Sequence, residues 1–107
     1  MEGVDMNVAD KWGRTVLSLA AQQGHSEVVK ALIRGGAWID PHEDYDTKET
    51  PLMAAAENGH LEIVRALIEA GANPHLHVRV SQATAEFYAR QNGHTEVSRY
   101  LSQVMGI

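Results

Sequence analysis

The amino-acid sequence predicts an all-α solenoid of three stacked helix-turn-helix units joined by short β-turn or hairpin connections. Three observations predict it. One phrase recurs along the chain, as "AAQQGHSEVVKALIRGGA" from Ala20, "AAENGHLEIVRALIEAGANP" from Ala55 and "ARQNGHTEVSRYLSQVMG" from Ala89. Its Gly-His pairs place His25, His60 and His94 at spacings of 35 and 34 residues, and Thr15, Thr50 and Thr84 keep the same two spacings. Two markers sharing one period over three copies are the signature of a stacked repeat architecture.

The middle copy shows why each element forms. Thr50 followed by Pro51 fits an N-cap with proline at the first helical position, where its missing N–H costs nothing. "ETPLMAAAENG" is therefore the first helix, and Gly59 can take the left-handed conformation that ends it. In "LEIVRALIEAG", Leu61, Ile63, Val64, Leu67 and Ile68 recur at helical spacing, leaving Glu62, Arg65 and Glu69 to face water until Gly71 stops the helix. Each helix has two or three turns, below the roughly 12 to 15 residues at which an isolated helix becomes marginal. Neighbouring copies must cover the apolar faces. The copies divide the chain into repeats at about 10–42, 45–77 and 79–107 within one domain spanning 1–107.

Composition narrows the function classes. A chain of 107 residues, 44% of them hydrophobic, suits one domain. Its six aromatic residues are few beside its alanines, which suits thin helical layers. The absence of cysteine removes disulfide frameworks, cysteine-based zinc sites and thiol nucleophiles, and points to an intracellular, cytoplasmic protein. The opening "MEGVDMNVAD" lacks the basic and apolar regions of a signal peptide, and no stretch approaches the roughly 18 apolar residues of a membrane span. A formal charge of −5 disfavours binding to a phosphate backbone. Neither nucleic acid nor membrane is an expected partner.

At this point the copies resemble the ankyrin-repeat family, whose unit is a β-turn plus two antiparallel helices over about 33 residues. "DKWGRTVLSLAAQQGHSEVVKALIRGGAWID" matches the family pattern at Asp10, Gly13, Thr15, Leu17, Ala20, Ala21, Gly24, His25, Val28, Val29, Leu32, Gly36 and Ala37. "ETPLMAAAENGHLEIVRALIEAGANP" matches it at Thr50, Pro51, Leu52, Ala55, Ala56, Gly59, His60, Ile63, Val64, Leu67, Gly71 and Ala72. There are departures: Val16 replaces the usual proline, Ser18 the usual histidine, and "WIDPHEDYDTKE" is a longer connection than usual. In the third copy Glu86 stands at a normally apolar position. There Arg90, Ser98 and Ser102 replace alanine and branched residues, as a polar terminal cap requires. No comparable cap precedes repeat 1, so its outer face is expected to be partly uncovered, either as a surface for self-association or because the sequence is a piece of a longer array.

The resemblance implies a non-catalytic protein-protein interaction module, an adaptor or scaffold binding a protein partner on its concave hairpin and first-helix face. The contact positions it implies are Lys11, Trp12, Arg14, Gln22 and Gln23 in repeat 1, and Asp46, Thr47, Glu49, Glu57 and Asn58 in repeat 2, with Gln91 and Asn92 continuing the row. Trp38 and Tyr45 flank the long connection and extend the patch. Trp12 is the sharpest candidate, because Trp and Arg are enriched among binding hot spots. The alternative is a structural or oligomerisation unit without a dedicated groove ligand.

Other candidates have simpler readings. His25, His60 and His94 occupy one position per repeat, which suits loop bonding better than catalysis. His42, His75 and His77 offer a metal three ligands without an evident fourth. The run Asp40, Glu43, Asp44, Asp46 and Glu49 lacks the spacing and central glycine of the known calcium loop and reads as a solvated segment, or as a contact for a basic protein. No nucleophile elbow or phosphate-binding glycine loop appears, so no enzyme activity, metal or cofactor is implied.

Overall fold

The computed structural model describes residues 14–40, 50–78 and 81–107. Six helices follow in order: α1 (Val16–Gln23), α2 (Ser26–Arg34), α3 (Pro51–Glu57), α4 (Leu61–Glu69), α5 (Ala85–Gln91) and α6 (Thr95–Met105). Each odd-numbered helix packs on the next as an antiparallel pair. The inner helices α1, α3 and α5 lie side by side, and α2, α4 and α6 form a second layer behind them. This is the helical solenoid expected from the period.

Threonine begins each inner helix for the same reason. Its backbone is extended and its hydroxyl accepts a bond from the backbone N–H three residues on: Ser18 to Thr15 at 3.2 Å, Met53 to Thr50 at 3.1 Å, Phe87 to Thr84 at 3.2 Å. Ser18, a departure from the family pattern, completes a capping box by accepting from the Thr15 N–H at 2.9 Å. Repeat 1 thereby recovers a bond where it lacks the proline of α3.

The core is continuous from repeat to repeat. Leu17, Val29, Leu52, Met53, Ile63, Val64, Leu67 and Leu101 are all but fully buried, with alanines at the helix contacts. At about 1.5–3 kcal/mol for each fully buried aliphatic side chain, this shared burial offsets the nucleation cost that such short helices carry.

The repeated histidine closes its own repeat through its backbone, and in repeats 2 and 3 it joins the repeat before through its ring. The backbone N–H of His25, His60 and His94 closes the end of its own inner helix, donating to Ala20, Ala55 and Ala89 at 3.0, 3.0 and 2.8 Å. The ring reaches back one repeat: His60 Nε2 donates to the carbonyl of Gln22 at 3.1 Å, and His94 Nε2 to that of Glu57 at 3.0 Å. Both carbonyls belong to the last turn of an inner helix, where the helix itself provides no donor. A carbonyl only accepts, so each ring carries its proton on Nε2. The ring lies over the glycine that ends that helix. A Cβ placed on Gly24 would stand 2.8 Å from the His60 ring, and one on Gly59 would stand 2.5 Å from His94 Nδ1.

Other ties cross the same joints. Lys30 pairs with Glu62, and this hydrogen bond holds the Glu62 carboxyl below its ordinary range and lifts the Lys30 ammonium above its own. Both groups lie at the surface, so solvent screens the pair. Arg65 stands over the Tyr100 ring, 4.8 Å from its centre. Before α5, an isolated antiparallel bridge joins His77 to Thr84, and the Val78 N–H donates to Ala83 at 2.9 Å. Gln82 sits beside that turn with a φ of 62°.

Glu86, expected to be out of place, is buried and satisfied. Its Oε2 accepts from Ser98 Oγ at 2.7 Å and from Arg90 Nε at 3.1 Å. Three departures of the third copy thus form one bonded group.

Gly59 and Gly93 separate the effects of conformation and ring contact. Both have positive φ, at 74° and 77°, but nothing lies within 4 Å of a Cβ on Gly93. Alanine at either position costs on the order of 1 kcal/mol for its conformation. Gly59→Ala must also displace the His94 ring and is expected to lose at least about 2 kcal/mol in urea unfolding. Equal losses for the two variants would contradict this account of the joint.

Candidate functional site

The inner helices present their last turns in register. Gln22 and Gln23 close α1, Glu57 closes α3 with Asn58 just beyond it, and Gln91 closes α5 with Asn92 just beyond it. Glu57 is half-buried, and the other five are exposed. Packing of α1 on α3 and α3 on α5 brings these pairs into one row.

Members of the row differ in what their polar groups already do. The carbonyls of Gln22 and Glu57 accept from the histidines, so a partner would meet these residues through their side chains. Asn92 Nδ2 also donates to the Glu57 carbonyl at 3.0 Å, tying repeats 2 and 3, while Asn58 Nδ2 donates to Ala54 within its own helix at 2.8 Å. Gln23 Oε1 lies 3.2 Å from His25 Nε2. The side chains of Gln22, Glu57 and Gln91 hold no hydrogen bond among the described residues.

The remaining expected contact residues fall elsewhere or outside the described residues. Arg14 is exposed ahead of α1, at the opposite end of that helix from Gln22 and Gln23. Eight residues at 1.5 Å each separate the two groups by about 12 Å along the helix. Trp38, beyond α2, is 61% exposed. Lys11, Trp12, Tyr45, Asp46, Thr47 and Glu49 lie outside the described residues, as do His42, Glu43 and Asp44. His75 and His77 are exposed, and among the described residues no three His, Asp or Glu side chains gather to hold a metal.

An aromatic cluster escaped the sequence analysis. On α5, exposed Phe87 meets half-buried Tyr88 edge-on at 6.1 Å between ring centres, and the Arg90 guanidinium stands 5.8 Å from the Phe87 centre. The available signal was the pair of large rings at the positions filled by Met53 and Ala54 in repeat 2.

Asp40, the described end of the acidic run, bridges two repeats. Its Oδ2 accepts from the Asn73 N–H at 3.0 Å, while Oδ1 is buried without a partner among the described residues. Burial pushes the carboxyl above its ordinary value, and the Asn73 bond only partly counters this. A shallow depression of about 210 Å³ lies between repeats 2 and 3, lined by Gly59, Leu61, His94, Thr95, Glu96 and Val97. It is smaller than the pockets of roughly 300–1,000 Å³ that enclose small ligands.

Comparison with known proteins agrees with this architecture. A family model described as "Ankyrin repeats (3 copies)" matches residues 1–78 and 38–106. The chain belongs to the ankyrin-repeat family. Ankyrin repeats generally mediate protein-protein interaction and are typically non-catalytic. One curated relative is the NF-kappa-B inhibitor zeta of Bos taurus, 46% identical over 35 residues. The match covers 33% of this chain and 5% of that protein's length. Among the described residues no helix is long and apolar enough to cross a membrane.

Two outcomes follow from this geometry. Asn92→Ala removes a bond between repeats and is expected to cost about 1 kcal/mol in urea unfolding, whereas Gln22→Ala stays within about 0.5 kcal/mol of the parent. The second concerns pH. A carboxyl whose pKa rises on folding favours the folded state at low pH and opposes it as pH climbs through the raised value. Asp40→Asn keeps an acceptor for the Asn73 N–H without the charge, so it should raise Tm by about 2 °C at pH 7. The gain should vanish below the ordinary carboxylate range, and an equal gain at pH 3 would contradict the assignment.

Proposed function

We propose that the protein is a non-catalytic adaptor that binds a protein partner across its concave face, formed by the inner-helix ends and the turns ahead of them. The observation that carries this reading is the row Gln22–Gln23, Glu57–Asn58 and Gln91–Asn92, held in register by the His60 and His94 bonds. A surface ordered before docking loses little conformational freedom on binding, which favours affinity. Amide side chains supply adaptable donors and acceptors, and Arg14, Trp12 and the rings of Phe87 and Tyr88 supply candidate anchors. The proposed surface also takes in Lys11, Tyr45, Asp46, Thr47 and Glu49, with Trp38 at its edge.

The partner is proposed only as a protein, within the cell. The name of the bovine relative assigns a target to that protein, and the match spans too little of it to carry the target here. The alternative, a structural or oligomerisation unit, draws on the aliphatic edge of repeat 1, where Val16 and Val28 stand exposed.

Affinity purification with the wild-type chain and a Trp12→Ala/Arg14→Ala variant tests the proposal. Proteins retained by the wild type should be lost from the variant, with affinity for a purified partner falling at least about 30-fold if one hot spot of 2 kcal/mol is removed. Thermal unfolding should stay nearly unchanged. Undiminished affinity in a variant that unfolds normally would rule out this face.

A further inference from the structure

Two asparagines precede a glycine, Asn58 before Gly59 and Asn92 before Gly93, and a histidine follows each glycine. An asparagine in that setting can lose its amide without an enzyme. The glycine nitrogen, with no neighbouring Cβ to hinder it, attacks the side-chain Cγ; the N–Cγ bond forms, the Cγ–Nδ2 bond breaks, and ammonia leaves behind a five-membered succinimide. Water then opens that ring at either carbonyl, giving aspartate or its β-linked isomer. Gln23 stands before Gly24 in repeat 1 but would have to close a slower six-membered ring, and Asn73 precedes Pro74, which has no N–H to give up. Asn58 and Asn92 are flanked so similarly that the fold decides between them.

Neither is set to react as it lies. Their ψ angles of 4° and 9° hold the glycine nitrogen away from Cγ, and each glycine N–H donates to a carbonyl of its own helix at 3.2 Å. The helix end must first open. At Asn58 repeat 3 opposes that opening: the His94 ring covers Gly59, with Nδ1 2.5 Å from where a Cβ would stand. The Glu57 carbonyl, just ahead of Asn58, also accepts from both His94 Nε2 and Asn92 Nδ2 at 3.0 Å. Asn92 has no such cover. It and Gly93 are exposed, nothing among the described residues lies within 4 Å of a Cβ on Gly93, and opening there costs the local backbone bonds and the one side-chain bond to Glu57.

We propose that Asn92 is a self-modification site, which deamidates in the folded chain while Asn58 is protected, and that the product loosens the joint between repeats 2 and 3. The amide that donates to the Glu57 carbonyl becomes a carboxylate, which only accepts when ionised, so two acceptors face each other across the joint. The new charge also lies at the C-terminal end of α5, where the helix dipole opposes a negative group. The β-linked isomer goes further. It adds a methylene to the backbone between α5 and His94, and so shifts the residue whose ring bonds Glu57.

The full chain, held folded in warm, mildly alkaline buffer to favour loss of the glycine N–H proton, is sampled over time and mapped by tandem mass spectrometry with Asn58 and Asn92 in separate peptides. A parallel sample is held unfolded in guanidinium chloride. Asn92 should convert at least about 10-fold faster than Asn58 in the folded chain, because its opening breaks fewer bonds, and the two rates should come within about 2-fold in the unfolded one. Asn92→Gln keeps an amide and should abolish conversion at that position. The modified fraction, separated by ion exchange through its added negative charge, should unfold at a Tm at least about 4 °C below the parent, and Asn92→Asp should show a loss of the same sign. Equal rates at the two sites in the folded chain, an inert Asn92 beside a reactive unfolded control, or a modified fraction as stable as the parent would each overturn the proposal.

Discussion

The structure depends on the joint between successive repeats. Helices of 7 to 11 residues do not form stably alone in water, so each pair exists because the next pair covers it. The joint has an apolar part, in which Leu52, Ile63, Val64 and Leu67 disappear from solvent, and a polar part made by one histidine ring. The ring occupies the space that a glycine leaves above the end of the preceding inner helix and bonds a carbonyl which that helix cannot satisfy. Burial supplies the driving force and the ring fixes the register. A slipped neighbour would lose both.

That register sets what the surface can do. Exposed amides at the ends of α1, α3 and α5 form a row only because the joints place the helices side by side. Use of the Gln22 and Glu57 carbonyls inside the stack leaves recognition to side chains, which vary from repeat to repeat without disturbing the joint. The scaffold and the contact surface therefore draw on different atoms of the same residues. This separation is how one architecture can serve many partners.

Much of the candidate site was legible because repeats label their own positions. Aligning Gly24 with Gly59 and Gly93 locates the last turns of the inner helices, and so the amide row. Partnerships across the joint were not legible. Nothing in the sequence pairs Lys30 with Glu62 or Arg65 with Tyr100, since each pair is more than 30 residues apart and depends on the rotation between layers. Asn92 looked like a contact residue and proved to tie two repeats, because its amide falls within reach of the Glu57 carbonyl. The Phe87–Tyr88 pair was missed for a related reason: a hydrophobic residue on a short helix reads as core until the packing shows which side is covered.

By itself the sequence determined the helices and their number, because those rest on local chemistry: threonine hydroxyls at the starts of the inner helices, left-handed glycines at or just past the ends, and apolar residues at helical spacing between them. It also marked Glu86, Arg90, Ser98 and Ser102 as departures that make the last repeat polar. Only the tertiary structure decided how those departures are satisfied, with Glu86 buried against Ser98 and Arg90. It also decided which residues of the face expected to be uncovered lie bare, leaving Val16 and Val28 exposed where Pro51 and Ile63 are covered. The physical reason is that a cap is a property of a few consecutive residues, whereas burial is a property of whatever stands opposite.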